Sequence, residues 1–127
     1  MRPVTTRAAV TPMATADESV RFECGRADIA HFPGGTVTRW ILEPGWRWSS
    51  HVGLAQGLAL CPTPHVGYLV AGRMVISMAD GRTIRLGAGD AFAIPPDHDG
   101  WVEGDEACVR IDVAATSPAR HKPAAGA

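Results

Sequence analysis

The sequence predicts an all-β domain, on three observations. The stretch 65–101 holds apolar runs too short for helices, and Gly72, Asp80-Gly81 and Gly87-Ala88-Gly89 divide them. Within the clearest run, Met74, Ile76 and Met78 alternate with Val75 and Ser77, a period of two that puts one drier face on a sheet. Two dipeptides with the right chemistry close the ends. Asp80-Gly81 supplies the positive φ of a tight hairpin, and Pro95-Pro96 cannot donate to a ladder and so ends a strand.

Taken in order, residues 1–19 are rich in Thr, Ala and Pro without periodicity, and are expected to form a flexible segment. Residues 20–24 alternate as a first strand. After the Gly34-Gly35 turn, residues 36–42 form a second, with Thr38, Trp40 and Leu42 on one face and Val37, Arg39 and Ile41 on the other. Glu43-Pro44-Gly45 breaks it. Residues 53–64, with Gly57, Pro62 and Pro64, read as a loop or lid over the mouth of the domain. Residues 73–78 and 83–86 pair as a hairpin, 91–94 follow, strand character resumes at 101–103, and 107–113 is the last strand. The expected organisation is one β-barrel domain over 20–113 and a disordered tail over 114–127, with helix below about a tenth of the chain.

Composition narrows the function. A chain of 127 residues is one domain and buries about two-thirds of its unfolded surface, enough to fold without disulfides. Three cysteines, Cys24, Cys61 and Cys108, show no paired spacing and read as free thiols of a reducing cytoplasm. A net charge of −1 gives no electrostatic footprint for nucleic acid. No apolar run approaches the ~20 residues of a membrane span, and the first twenty residues lack the apolar core of a secretory signal. Apolar residues on both strand faces lead to the expectation of a homodimer.

The chemistry-bearing residues are the histidines His51, His65 and His98, and four tryptophans. Trp40, Trp46 and Trp48 cluster upstream of the histidine pair, and Trp101 follows His98. Trp48, Trp101 and Trp40, with Cys61, are the residues expected to wall a small-molecule pocket; core packing is the alternative for the tryptophans. Cys61, four residues before His65, is a candidate ligand or nucleophile. Asp97, Asp99 and Glu103 stand near His98 as candidates to orient an imidazole.

Over roughly 36–113 these residues resemble the cupins, small barrels of jelly-roll type. The family's first motif, G-x5-H-x-H followed by E-x6-G, is matched by Gly45 and His51, and by His65 in the glutamate position followed by six residues and Gly72. Gly53 stands where the motif has its second histidine. The second motif, G-x5-P-x-G-x2-H, is matched by Gly89 and Pro95; Asp97 replaces its glycine, Gly100 stands in its histidine position, and His98 lies two residues earlier. In a strand that shift moves a side chain about 7 Å along the same face. The resemblance implies a cupin-type jelly-roll β-barrel with a divalent transition metal, Zn or Fe, held here by His51, His65 and His98. It implies a metal-dependent enzyme of oxygenase, isomerase, cyclase or lyase type acting on a small organic molecule, or a non-catalytic module that binds one.

Overall fold

The computed structural model describes residues 7–115, and the alternation read in the sequence is visible there as nine antiparallel strands. They are β1 (Glu18–Phe22), β2 (Gly25–Phe32), β3 (Gly35–Leu42), β4 (His65–Ala71), β5 (Arg73–Met78), β6 (Thr83–Gly87), β7 (Ala91–Ile94), β8 (His98–Val102) and β9 (Cys108–Ala115). One sheet runs β1-β2-β3-β9-β4-β7 and the other β6-β5-β8. A single core of Trp40, Leu42, Leu69 and Cys108 from the first sheet and Met74, Ile76, Leu86 and Val102 from the second joins them into a jelly-roll barrel. The fold is that of the cupins.

Several boundaries move from their expected places. β1 begins at Glu18 and β9 reaches Ala115; residues 1–6 and 116–127, parts of the expected flexible segment and tail, lie outside the described residues. Strand β2 went unread in the sequence. Its buried positions are Ala27, Asp28 and Ala30, so no large apolar side chain marks its alternation. Asp28 is kept there by Ser19 Oγ at 2.8 Å, Arg39 Nη2 at 2.9 Å and Arg26 Nε at 3.2 Å. Burial alone would raise its pKa, but these donors together hold it below the ordinary carboxylate value.

The larger correction concerns the expected loop. Trp48 enters a π-helical turn over Ser49–Gly53, which runs into one α-helical turn, α1 (Leu54–Gln56), ended by Gly57 in the left-handed conformation. The buried Asp99 carboxylate fixes its start, accepting Ser49 N–H at 3.0 Å, Ser49 Oγ–H at 2.7 Å and Arg47 Nε–H at 3.1 Å. Helical residues, with the 3-10 turn Met13–Thr15, make up 11 % of the described residues, in keeping with the low helix content expected. Among the described residues no helix is long and apolar enough to cross a membrane.

Candidate metal centre

Two strand starts and one loop residue converge between the sheets. His65 opens β4 and His98 opens β8, and both rings turn inward because each shares its strand's core-facing parity with Leu69 or Val102. Cys61 reaches them through an antiparallel bridge to His98: Cys61 N–H donates to His98 O at 2.7 Å, and Asp97 N–H to Cys61 O at 2.7 Å. The bend that makes this possible is at Asp97, whose φ of 70° lies in the left-handed region that a glycine would adopt more readily.

One ligand atom from each of Cys61, His65 and His98 lies within 4.8 Å of the others, and all three residues are buried. Each imidazole is held by its far nitrogen. His65 Nδ1–H donates to Asp112 Oδ2 at 2.9 Å, and His98 Nδ1–H donates to Pro95 O at 2.7 Å. In the neutral rings both Nε2 lone pairs are then left for the cluster, and His65 Nε2 lies 3.7 Å from Cys61 Sγ. The rings meet edge to face with centroids 5.3 Å apart.

Asp112 is the hub behind the cluster. Arg110 clasps it with Nε–H to Oδ1 and Nη2–H to Oδ2, each at 3.0 Å, and Trp40 Nε1–H adds a bond at 3.1 Å. Burial would raise its pKa, but the Arg110 charge and the His65 bond hold it below the ordinary value, so Asp112 accepts as a carboxylate. Burial pushes the His98 pKa down despite the bond to Pro95, which keeps that ring neutral. Burial pushes the Cys61 thiol up, as it does that of Cys108, so Cys61 is a neutral thiol when no cation is present.

The adjoining cavity is small, about 10 Å³, the room of roughly one water. Trp40, Trp46, Trp48, Met74, Ile76, Gly100 and Arg110 line it beside the two histidines. Trp46 and Trp48 are each 3 % exposed, and their indole N–H groups have no hydrogen-bond partner among the described residues.

The structure therefore unites two of the three expected histidines and adds Cys61. His51 stands elsewhere, with Glu23 and Cys24, because residues 48–56 are helical where the motif needs an extended strand. Gly53 carries no side chain for a steric reason: a Cβ there would run into the Trp48 ring and Leu58 O. Trp48 and Trp40 line this cavity, whereas Trp101 lies outside it beneath the Arg47 guanidinium, 4.1 Å from its ring centre. Asp99 caps the helical segment and Glu103 pairs with Arg85, so neither orients an imidazole. Asp112 and Arg110 went unread as site residues; their spacing of two on a strand is compatible with one face, but nothing local ties them to His65.

No protein-family model and no curated protein matches the chain. Solved structures do. A protein of unknown function from Rhizobium leguminosarum bv. viciae superposes with a TM-score of 0.61 at 17 % identity, over 85 % of this chain and 96 % of its own. The polyketide cyclase RemF from Streptomyces resistomycificus gives 0.60 at 19 %, over 86 % and 79 %. KdgF from Halomonas sp. gives 0.53 at 21 %, over 80 % and 88 %. At these identities the likeness is one of fold.

Proposed function

We propose that this chain is a metal-dependent enzyme acting on a small organic molecule at the mouth of its barrel, with Cys61, His65 and His98 as the residues that would hold a divalent transition metal. The observation that carries this reading is the pair of buried imidazoles, each anchored through Nδ1, with one ligand atom of each lying within 4.8 Å of the other and of the same thiol sulfur. A thiolate with two imidazoles suits Zn²⁺ first and Fe²⁺ second. When bound, such an ion supplies Lewis acidity to an oxygen of a ligand at an open position. Asp112 holds the His65 tautomer and Arg110 neutralises Asp112. Trp46 and Trp48 exclude bulk water and offer two unpaired N–H donors, which fit an oxygen-bearing ligand. The barrel shared with RemF, named a polyketide cyclase, is one that hosts small-molecule chemistry.

A second reading is a non-catalytic module that binds a small molecule, for which the two unpaired indole N–H groups, on tryptophans that line the cavity, are the supporting observation. Metal analysis of untagged protein tests the first. At least one Zn²⁺ or Fe²⁺ per chain is expected, with one equivalent lost in His65→Ala and in His98→Ala. A folded protein that takes up neither ion in the wild-type form would leave the binding module as the better reading.

We propose further that a second copy covers the outer face of the larger sheet, where Val66, Tyr68, Val70 and Val113 are about half exposed. Sedimentation at micromolar concentration should give a homodimer, and Tyr68→Lys a monomer. The three free thiols are consistent with a cytoplasmic protein.

A further inference from the structure

The geometry points to a second divalent-metal site, facing solvent, formed by Glu23, Cys24 and His51, and we infer that it fastens the helical segment to the β1–β2 turn. A carboxylate oxygen of Glu23, Cys24 Sγ and a ring nitrogen of His51 all lie within 4.8 Å of one another. Cys24 Sγ is 3.9 Å from His51 Nε2. Tetrahedral Zn²⁺ with its usual bond lengths sets a thiolate sulfur and an imidazole nitrogen about 3.5 Å apart, so closure takes a few tenths of an ångström. Thiolate, imidazole and carboxylate are together a Zn²⁺ donor set that leaves a fourth position for water.

Both supports of this cluster are built into the backbone. Glu23 and Cys24 are the two turn residues between the paired Phe22 and Gly25. Cys24 has a φ of 65°, in the left-handed region that non-glycine residues rarely occupy, and Glu43 N–H fixes its carbonyl at 2.8 Å. His51 Nδ1 lies 3.0 Å from Arg47 N and 3.2 Å from Arg47 O. The same peptide pair therefore serves either tautomer: Nδ1 accepts from Arg47 N–H in one, and Nδ1–H donates to Arg47 O in the other. The second tautomer frees the Nε2 lone pair toward Cys24 and supplies the carbonyl anchor typical of a metal-bound imidazole. An ion held here would join the β1–β2 turn to the segment that carries Trp48, one wall of the interior cavity.

Cobalt separates this site from the interior one, because each contains a different cysteine. In Cys61→Ser protein, Co²⁺ should still produce a thiolate charge-transfer band in the near ultraviolet. Cys24→Ser added to that background should abolish it, and His51→Ala should weaken Co²⁺ binding by at least tenfold. A band absent from folded Cys61→Ser, or one that survives Cys24→Ser, overturns the inference. Should Cys61→Ser fail to fold, Zn²⁺ stoichiometry answers the question in the wild-type background. Two ions per chain are expected, falling to one in Cys24→Ser and to one in His65→Ala. One ion lost only in His65→Ala sinks this site and leaves the interior one standing, whereas one ion lost only in Cys24→Ser does the reverse.

Discussion

Cys61, His65 and His98 lie between the sheets with the remote nitrogen of each ring already bonded, whereas Glu23, Cys24 and His51 sit on a turn and a helical segment within reach of solvent. The donors are nearly the same and the supports are opposite. In the interior cluster a partly buried carboxylate, a buried guanidinium and a backbone carbonyl fix the rings before any ligand arrives. In the outer cluster a strained backbone places the sulfur, and the imidazole keeps both tautomers available. A polar group left unpaired in a dry interior, as the Trp46 and Trp48 indole N–H groups are, costs about 1–3 kcal/mol, and the interior cluster's rings are spared that cost. At the surface water covers that cost, so position can be set by the chain alone.

The sharpest way to break this contrast is Asp112→Ala. It leaves the Arg110 charge buried without its partner and His65 Nδ1 without its acceptor, and breaking a buried pair costs about 3–5 kcal/mol. For a domain of this size the melting temperature should fall by roughly 10–20 °C, read by calorimetry. Glu23→Ala, in the outer cluster, should stay within about 0.5 kcal/mol of wild type. Equal losses from the two variants would erase the distinction between a pre-satisfied and a water-supported site.

Next in size is Gly53→His, which restores the histidine that the cupin motif places there. Its Cβ meets the Trp48 ring and Leu58 O, so overpacking should cost about 1–3 kcal/mol, and the imidazole should add no metal affinity because the segment is helical. A gain in Zn²⁺ affinity without loss of stability would mean that residues 49–56 can unwind into the motif's extended form.

That helical segment marks the limit of what the chain's pattern reveals. β5 and β6 were legible because Met74, Ile76 and Leu86 alternate across the Asp80-Gly81 turn. For His98 parity gives only the face, since a shift of two residues keeps a strand side chain there, and the bend at Asp97 gives the position. Parity fails at His51, where the chain coils after Trp48 and a period of two no longer applies. It also says nothing of Asp112, which is separated from His65 by 47 residues and meets it only because β9 inserts between β3 and β4. Cys61 lies four residues from His65, but its approach depends on a bridge to His98 that a loop of prolines does not advertise.

The clusters should also differ in acid. Burial, more than the neighbouring charges of His65 and Arg110, holds His98 below its ordinary value of 6.5. Between that value and the lower one in the fold, the unfolded chain binds more protons, so stability is full above about pH 6.5 and declines as pH falls through the window. A second loss follows below the ordinary carboxylate value of 3.8, as Asp112 and Asp28 are protonated against their depressed values. Urea midpoints measured in chelator should show both stages, and His98→Gln should remove the first alone. A first stage that persists in His98→Gln would locate the proton elsewhere.

The smallest expected effect tests the outer cluster's strain directly. A left-handed backbone costs a non-glycine residue about 1–2 kcal/mol, while glycine loses roughly 0.5–1 kcal/mol more than alanine in chain entropy on folding. Cys24→Gly should therefore be neutral or stabilising by up to about 1 kcal/mol, and Cys24→Ala, which keeps the Cβ, should show no such gain. Opposing this is the contact of the Cys24 side chain with the core edge, where it packs as a partly buried apolar group. Removing the half-buried Cβ and Sγ costs on the order of the ~0.8 kcal/mol of one fully buried methylene, which brings the net change close to zero. If Cys24→Gly is the more stable protein and has lost its outer Zn²⁺, the strained conformation is retained for what the sulfur binds. If it is less stable by more than about 1 kcal/mol, Cys24 is there to pack, and its approach to His51 follows from the fold.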